Sequence, residues 1–249
     1  MGVSGKACVV LMFVCFAGLA YCGVSEKIVN VLDFGAKTDP KVQSTEAFMH
    51  AWQAACKSKE QARLVVPKGQ FLVSSMFFAG PCLTPGPITI QVEGTILAST
   101  DPSDYVNADW LIFQELSGFK LIGGGTFDAQ GKSMWPHTFD CDYRPFSDCV
   151  RLPSTFQFNT VKDGVIENIT LANAMGLDVY AMRSKNITLN SVKLTAPSDS
   201  PNNENIRIED CSNVVISQTT IQHGKDCVSV VKPATNLAPL TRSKCTSFD

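Results

Sequence analysis

A set of similar strand segments recurs along the second half of the chain and constrains its fold more than any other feature. The copies are Ser117–Ile122, Asp163–Leu171, Lys185–Val192 and Ser212–Ser217. Gly164, Asn186 and Asn213 align at the same place in successive copies, 22 and then 27 residues apart. A second strand series interleaves with the first at steps of 29 and 22 residues and consists of Leu177–Met182, Ile206–Glu209 and Val228–Val231. One β coil cannot bury its own apolar face, so these two series predict a solenoid of stacked coils.

The rest of the chain adds one helix and more short strands. Residues with helical spacing occupy Ser44–Lys57, and Ser44 or Thr45 can cap that helix. Short apolar or alternating runs predict strands at Ile28–Leu32, Arg63–Val66, Phe71–Phe77, Ile88–Leu97, Trp110–Gln114, Phe119–Gly123 and Thr155–Phe158. We therefore predict an all-β fold with a short N-terminal helix, in which the 45% of apolar residues fill a sizeable core. A β-sandwich with coincidental spacing is the alternative.

Charge and motif content exclude several classes of function. The chain has 21 Lys and Arg against 23 Asp and Glu, a net charge of −2, so no basic field attracts nucleic acid. Neither the cysteines nor the histidines have the spacing of a zinc site. The run Gly123–Gly125 is not followed by the Gly-Lys-Ser/Thr of a phosphate loop. We expect no metal and no cofactor.

The N-terminus has the pattern of an export signal. Lys6 precedes a continuous apolar stretch, residues 7–20, which is too short to span a bilayer about 30 Å thick. We expect residues 1–22 to be a signal peptide; an uncleaved membrane anchor is the alternative. The sequons at Asn168 and Asn186 agree with a secretory route and are candidate glycosylation sites. The predicted location is extracellular, without membrane contact after cleavage.

Export favours disulfides among the cysteines that remain after cleavage. Cys141 and Cys149 bracket a short polar loop and can close on each other. Cys56 and Cys82 can tie the end of the helix to the next strand. An odd total leaves one thiol over or one partner missing.

The motifs at Ser200–Ile206, Gly224–Val230, Val31–Ala36 and Ile122–Gly131 resemble those of the polygalacturonases, glycoside hydrolase family 28. Ser200–Ile206 (SPNNENI) and Gly224–Val230 (GKDCVSV) are similar to the family motifs S-P-N-T-D-G-I and G-D-D-C-I-S-I. Upstream, Val31–Ala36 resembles the opening strand of plant members, and Ile122–Gly131 with Trp135 resembles their G-x-G-x-I-D-G-Q-G-x-x-W segment. The resemblance runs from about residue 28 to about residue 231 and is strongest to plant exopolygalacturonases. It implies a right-handed parallel β-helix over residues 23–231, with pectin as the substrate.

The resemblance also implies a catalytic set, from which this chain departs. Inverting hydrolysis requires a carboxylic acid that protonates the leaving oxygen and a carboxylate that activates water. The family uses the Asp of N-T-D and both Asp of the D-D pair, and the first of that pair is the acid. Here Asn202 is kept and Glu204 replaces the first Asp, Asp226 is the second carboxylate of the pair, and Lys225 stands at the acid position. A lysine, with a pKa near 10.4, is a poor proton donor at mildly acidic pH.

The family motifs G-H-G and R-I-K do not follow Val231, and residues 232–249 are predicted to be a divergent tail that truncates the β-helix. Cys245 lies 18 residues after Cys227, close to where the family's partner cysteine falls. Three hypotheses remain. The first is an active pectin hydrolase that uses Glu204 and Asp226 with a recruited proton donor. The second is a non-catalytic relative that binds oligogalacturonate, with Lys225 pairing a uronate carboxylate, and the third is a truncated product that folds poorly and binds nothing. We expect a monomer that contacts pectic polysaccharide through Asn202, Glu204, Lys225 and Asp226.

Overall fold

The chain winds into a right-handed parallel β-helix, as the repeats and the family resemblance predict. The computed structural model describes residues 26–105, 109–137, 152–201, 204–222, 226–231, 235–237 and 244–246. In this part of the chain, three sheets contain only parallel pairings, and each strand pairs with the strand one coil away. Right-handed crossovers are the rule for parallel strands. No helix among these residues is long and apolar enough to cross a membrane.

Each coil contributes strands to the three faces of the solenoid. Sheet 1 contains β1 (Glu26–Asn30), β2 (Gln61–Val66), β5 (Ile88–Val92), β8 (Ser117–Ile122), β11 (Lys162–Glu167), β14 (Lys185–Asn190) and β17 (Ser212–Ser217). Sheet 2 contains β3 (Gln70–Val73), β6 (Thr95–Ala98), β9 (Thr126–Asp128), β12 (Thr170–Ala172), β15 (Lys193–Thr195), β18 (Thr220–Gln222) and β20 (Lys244–Thr246). Sheet 3 contains β4 (Met76–Ala79), β7 (Asp109–Gln114), β10 (Ser154–Asn159), β13 (Val179–Met182), β16 (Glu204–Glu209) and β19 (Asp226–Val230).

The structure has three sheets, whereas the sequence predicts two interleaved series of strands. The segment Asp163–Leu171, predicted as one strand, is divided between β11 and β12 by Asn168, whose φ of 53° turns the chain. The predicted strands Phe71–Phe77 and Ile88–Leu97 are likewise two strands each. A corner of one or two residues is so short that the alternation of apolar and polar side chains shows no loop there in the sequence.

The repeated corner residue is Asp163, and not Gly164 as the spacing of the repeats predicts. Asp163, Asn186 and Asn213 have φ of 55–56°, the left-handed conformation that Asn and Asp tolerate. Asn186 Nδ2 donates to Asp163 Oδ1 at 2.7 Å, and Asn213 Nδ2 donates to Asn186 Oδ1 at 2.8 Å. Gly164 pairs with Ile187 instead. A Cβ on Gly164 would lie 2.6 Å from the Phe119 ring, so glycine is needed there for space.

Aromatic side chains fill the interior between the sheets. The ring of Phe113 stacks on Phe78 at 4.9 Å and on Phe119 at 5.3 Å between centroids. It also contacts the edges or tilted faces of Phe156 and Phe158. All five side chains are buried, so successive coils share one continuous core.

A helix covers the N-terminal end of this core. Helix α1 (Thr45–Cys56) lies within the predicted range Ser44–Lys57 and buries Phe48 and Trp52. The Trp52 ring packs edge-on against Phe78 at 5.1 Å. Short 3-10 helices also occur, at Val31–Phe34, Pro102–Asp104, Gly131–Ser133 and Trp135–His137.

Candidate active site

The two acidic residues singled out from the sequence begin neighbouring strands of sheet 3. Glu204 is the first residue of β16 and Asp226 the first residue of β19, and the two are direct register partners. Adjacent strands lie about 4.8 Å apart, so the backbones at these two positions are neighbours. Both follow connections that lead from sheet 2 to sheet 3. Asn202 and Lys225 belong to these connections and lie outside the described residues.

The Glu204 carboxylate is bound by three donor groups that belong to two side chains. Arg207 donates from Nε to Oε1 at 2.9 Å and from Nη2 to Oε2, and Ser229 Oγ donates to Oε1. The Glu204 side chain retains 17% exposure and that of Arg207 retains 35%. The hydrogen bond to Glu204 raises the pKa of Arg207 above its already high value. Two parallel N–H donors and one hydroxyl occupy the acceptor sites of an ionised carboxylate.

Arg207 and Ser229 belong to a row of side chains that crosses the outer face of sheet 3. Register partners along this row are Phe77, Ile112, Gln157, Tyr180, Arg207 and Ser229. The Tyr180 hydroxyl donates to Glu209 Oε2 at 2.6 Å. The row therefore combines an exposed apolar end at Phe77 with a polar end that surrounds Glu204.

A second row, two residues earlier on each strand, is polar and buried. Thr155, Asp178 and Asn205 are register neighbours, because Phe156 pairs with Val179 and Val179 with Ile206. Asn205 Nδ2 donates to Asp178 Oδ2 at 2.8 Å. Three further atoms in the row have no hydrogen-bond partner: Thr155 Oγ1, Asp178 Oδ1 and Asn205 Oδ1. Burial raises the pKa of Asp178 to about 7, against the lowering effect of the bond from Asn205. A protonated Asp178 can use its free oxygen as a donor, which lessens the cost of burying it.

The connections from sheet 2 to sheet 3 also line an open cavity of about 400 Å³. Asp128, Gln130, Trp135 and Asn173 line it. Asp128 Oδ1 accepts from the Gln130 backbone N–H and from Asn173 Nδ2, both at 2.9 Å, which fixes the polar side of the cavity. At its rim Lys132 forms an exposed ion pair with Asp199 at 3.1 Å, on the connection that leads into Glu204.

Disulfides hold the coils at both ends of the described chain. Cys56 at the end of α1 is bonded to Cys82, and Cys227 in β19 is bonded to Cys245 in β20. The second bond fixes the residue next to Asp226. It also brings β20 from the predicted tail, residues 232–249, into sheet 2 beside β18. Cys211 is a free, buried thiol.

The pair Cys141 and Cys149 lies outside the described residues. The two sequon asparagines differ in environment, since Asn168 is exposed whereas Asn186 is half-buried in the corner column. Among the residues that the structure describes, no group of three or more His, Cys, Asp or Glu could hold a metal ion.

Sequence reasoning found the two register partners but missed the residues around them. The sequence predicts Arg207, Tyr180 and Asp178 only as parts of strands, without a role in the site. A signal was present for Asp178 and Asn205: both are polar residues directly before buried apolar residues, at the outward phase of their strands. The sequence contains no comparable signal for the pairing of Arg207 with Glu204.

Comparison with known proteins assigns this architecture to a family. The sequence model described as "Glycosyl hydrolases family 28" matches residues 56–247. An exopolygalacturonase of Arabidopsis thaliana is 34% identical over 220 residues, 88% of this chain and 50% of the relative. A polygalacturonase of Gossypium barbadense is 36% identical over 200 residues, 80% of this chain and 48% of the relative. The chain spans about half the length of these curated relatives.

A solved structure shows the same fold at lower sequence identity. The polygalacturonase of Erwinia carotovora superposes with a TM-score of 0.69 at 16% identity, covering 87% of this chain and 62% of that structure. This likeness confirms the parallel β-helix.

Proposed function

Because the chain belongs to glycosyl hydrolase family 28, we propose that it binds the α-1,4-galacturonan backbone of pectin across the outer face of sheet 3 and hydrolyses it only weakly. The observation that carries this proposal is the register pairing of Glu204 with Asp226 at the start of adjacent strands. The polygalacturonases of Arabidopsis thaliana and Gossypium barbadense support the choice of polymer, since both are similar to this chain over most of its length.

Hydrolysis with inversion transfers a proton to the leaving glycosidic oxygen while a carboxylate removes a proton from the attacking water. Glu204 and Asp226 are suited to the second task, because carboxylates on adjacent strands can hold and deprotonate one water. Protonation of the leaving oxygen would depend on Lys225, which stands at the family's acid position. Its ammonium is a poor proton donor at mildly acidic pH. General acid catalysis typically contributes a factor of 10² to 10⁴, so its loss leaves slow turnover.

A second candidate is a galacturonan-binding protein with no turnover. The contacts of Glu204 favour it, because the carboxylate accepts bonds from Arg207 and Ser229 and is not free to deprotonate a water in this conformation. In this case Lys225 and Asn202 bind the polymer together with Arg207. Both candidates share the same binding surface and differ only in whether a bond is broken.

The reducing ends released from polygalacturonate at about pH 5 distinguish the two candidates. We expect slow release by the natural chain, no release by the double variant Glu204→Ala/Asp226→Ala, and release about 100-fold faster by Lys225→Asp, which restores a carboxylic acid. Lys193→Asp, an exposed lysine on sheet 2, makes the same charge change away from the site and is the control.

If the natural chain releases no more reducing ends than the Glu204→Ala/Asp226→Ala variant, it does not hydrolyse the polymer, and the second candidate, binding without turnover, remains. Absence of both hydrolysis and trigalacturonate binding, measured by calorimetry on protein with a cooperative unfolding transition, would contradict the proposal.

Export to the cell wall belongs to the same proposal. Residues 1–22 act as a signal peptide, residues 23–231 form the pectin-binding domain, residues 232–249 are a divergent tail, and Asn168 and Asn186 are candidate glycosylation sites. Expression of the whole chain in plant cells tests this. We expect the secreted monomer to begin near residue 23 and to gain electrophoretic mobility after removal of N-glycans; retention inside the cell would contradict it.

A further inference from the structure

We propose that Arg207 is the receptor for the carboxylate of one galacturonate residue, and that Glu204 occupies this receptor when no ligand is bound. The inference rests on the proposed function, because it names the group that recognises the sugar acid. In this role Glu204 does not bind the ligand but competes with it for the Arg207 guanidinium.

The first support is the geometry of the pair. Arg207 presents Nε and Nη2 to the two oxygens of one carboxylate, the fork that matches a planar carboxylate with two parallel hydrogen bonds. A galacturonate carries the same planar carboxylate on its ring. The Glu204 side chain therefore stands in for the chemical group that a uronate would present.

The second support is the position of Arg207 in its row. The row Phe77, Ile112, Gln157, Tyr180, Arg207 and Ser229 is fully described, and Arg207 is its one cationic member. The side chain keeps 35% of its surface exposed on the outer face, so a ligand can reach the guanidinium. A polymer that crosses these strands would meet one fixed positive charge there.

The third support is that the pair can exchange partners without leaving a buried charge unpaired. The side chains of Glu204 and Arg207 keep 17% and 35% of their surface exposed, so both groups can reach water when the pair separates. When a uronate takes the guanidinium, the Glu204 carboxylate keeps the Ser229 hydroxyl as a donor and regains contact with water. Binding of the substrate would thus release Glu204 from Arg207 beside Asp226, its register partner.

Calorimetric titration with trigalacturonate at about pH 5 tests whether Glu204 competes with the ligand for Arg207. The test is whether removal of the Glu204 charge makes binding tighter or weaker. Glu204→Gln keeps the shape of the side chain but removes the competing charge, so we expect binding about tenfold tighter than in the natural chain. Glu209→Gln is the matched control: it removes the same charge from the same strand, at a carboxylate that accepts from Tyr180 and acts on Arg207 through its charge. We expect its affinity to stay within about twofold.

Variants of Arg207 and an uncharged sugar complete the test. Glu204→Gln/Arg207→Gln should lose the tenfold gain, whereas Glu204→Gln/Arg207→Lys, which keeps the charge but lacks the fork, should keep only part of it. Galactotriose has no carboxylate, so its affinity should be the same for the natural chain and for Glu204→Gln.

The outcomes separate this inference from the proposed function. If the natural chain binds trigalacturonate and Glu204→Gln binds it equally or more weakly, Glu204 is not a competitor and the inference fails alone. Equal strengthening by Glu204→Gln and Glu209→Gln would reduce the effect to net charge and would also overturn it. If neither the natural chain nor any variant that unfolds cooperatively binds trigalacturonate, the proposed function fails with it.

Discussion

At the scale of single residues, the burial of Asp178 makes the stability of the fold depend on pH. Its folded-state pKa of about 7 lies above the ordinary value of 3.8, so between these two values the folded protein holds a proton that the unfolded chain has lost. The contribution of Asp178 to stability therefore falls as the pH rises from about 4 to about 7 and is constant above that range.

The substitution Asp178→Asn should remove this dependence. Asparagine is neutral and can bond to both Thr155 and Asn205, so we expect the variant to match the natural chain near pH 4 and to exceed its stability by up to about 4 kcal/mol at pH 8. Urea unfolding at a series of pH values measures this difference. Asp33→Asn, on an exposed carboxylate, is the control and should leave the pH profile unchanged. An Asp178→Asn profile parallel to that of the natural chain would show that Asp178 is not protonated in the fold.

The sequence predicts part of the site at this scale. Glu204 and Asp226 could be paired because their motifs repeat at the step of one coil, and the structure has them in register. The fork between Arg207 and Glu204 could not be predicted, because residues three apart on a strand point to opposite faces. Glu204 can contact Arg207 because it is the first residue of its strand and adjoins the connection, where the strict alternation of side chains begins.

At the scale of the elements, the corners of the coils decide where each strand ends. Asn168, Ser191 and Gln218 turn the chain between sheets 1 and 2 in the left-handed conformation, with φ of 51–54°. None of these is a glycine or proline, so the alternation of apolar and polar residues continues across them in the sequence. For this reason the strands of three sheets look like two strand series in the sequence. The period of the coils is therefore readable from the sequence, whereas the number of faces is not.

Gly164 shows how closely neighbouring coils pack. An added Cβ would lie 2.6 Å from Phe119 and 3.1 Å from Ile187, so Gly164→Ala should cost about 1–3 kcal/mol of unfolding free energy. Because the clash is with the Phe119 ring, the double variant Gly164→Ala/Phe119→Leu should lose less than the sum of the two single variants in chemical denaturation. Simple additivity would show that the ring is not what limits the space at Gly164.

At the scale of the whole molecule, the candidate site exists only because coils stack. Glu204 and Arg207 come from one coil, and Ser229 and Asp226 from the next. Their neighbours Tyr180 and Asp178 come from the coil before. The aromatic core that runs through successive coils and the disulfide between Cys227 and Cys245 hold these coils in register. Ligand binding across the row should therefore stabilise several coils together.

Amide hydrogen exchange with and without trigalacturonate tests the placement of the binding surface most directly. The account predicts slower exchange in peptides covering residues 204–209 and 226–230, and unchanged exchange in peptides covering residues 88–92 on sheet 1. Protection confined to sheet 1 or sheet 2, or no protection at a ligand concentration that saturates binding, would contradict it.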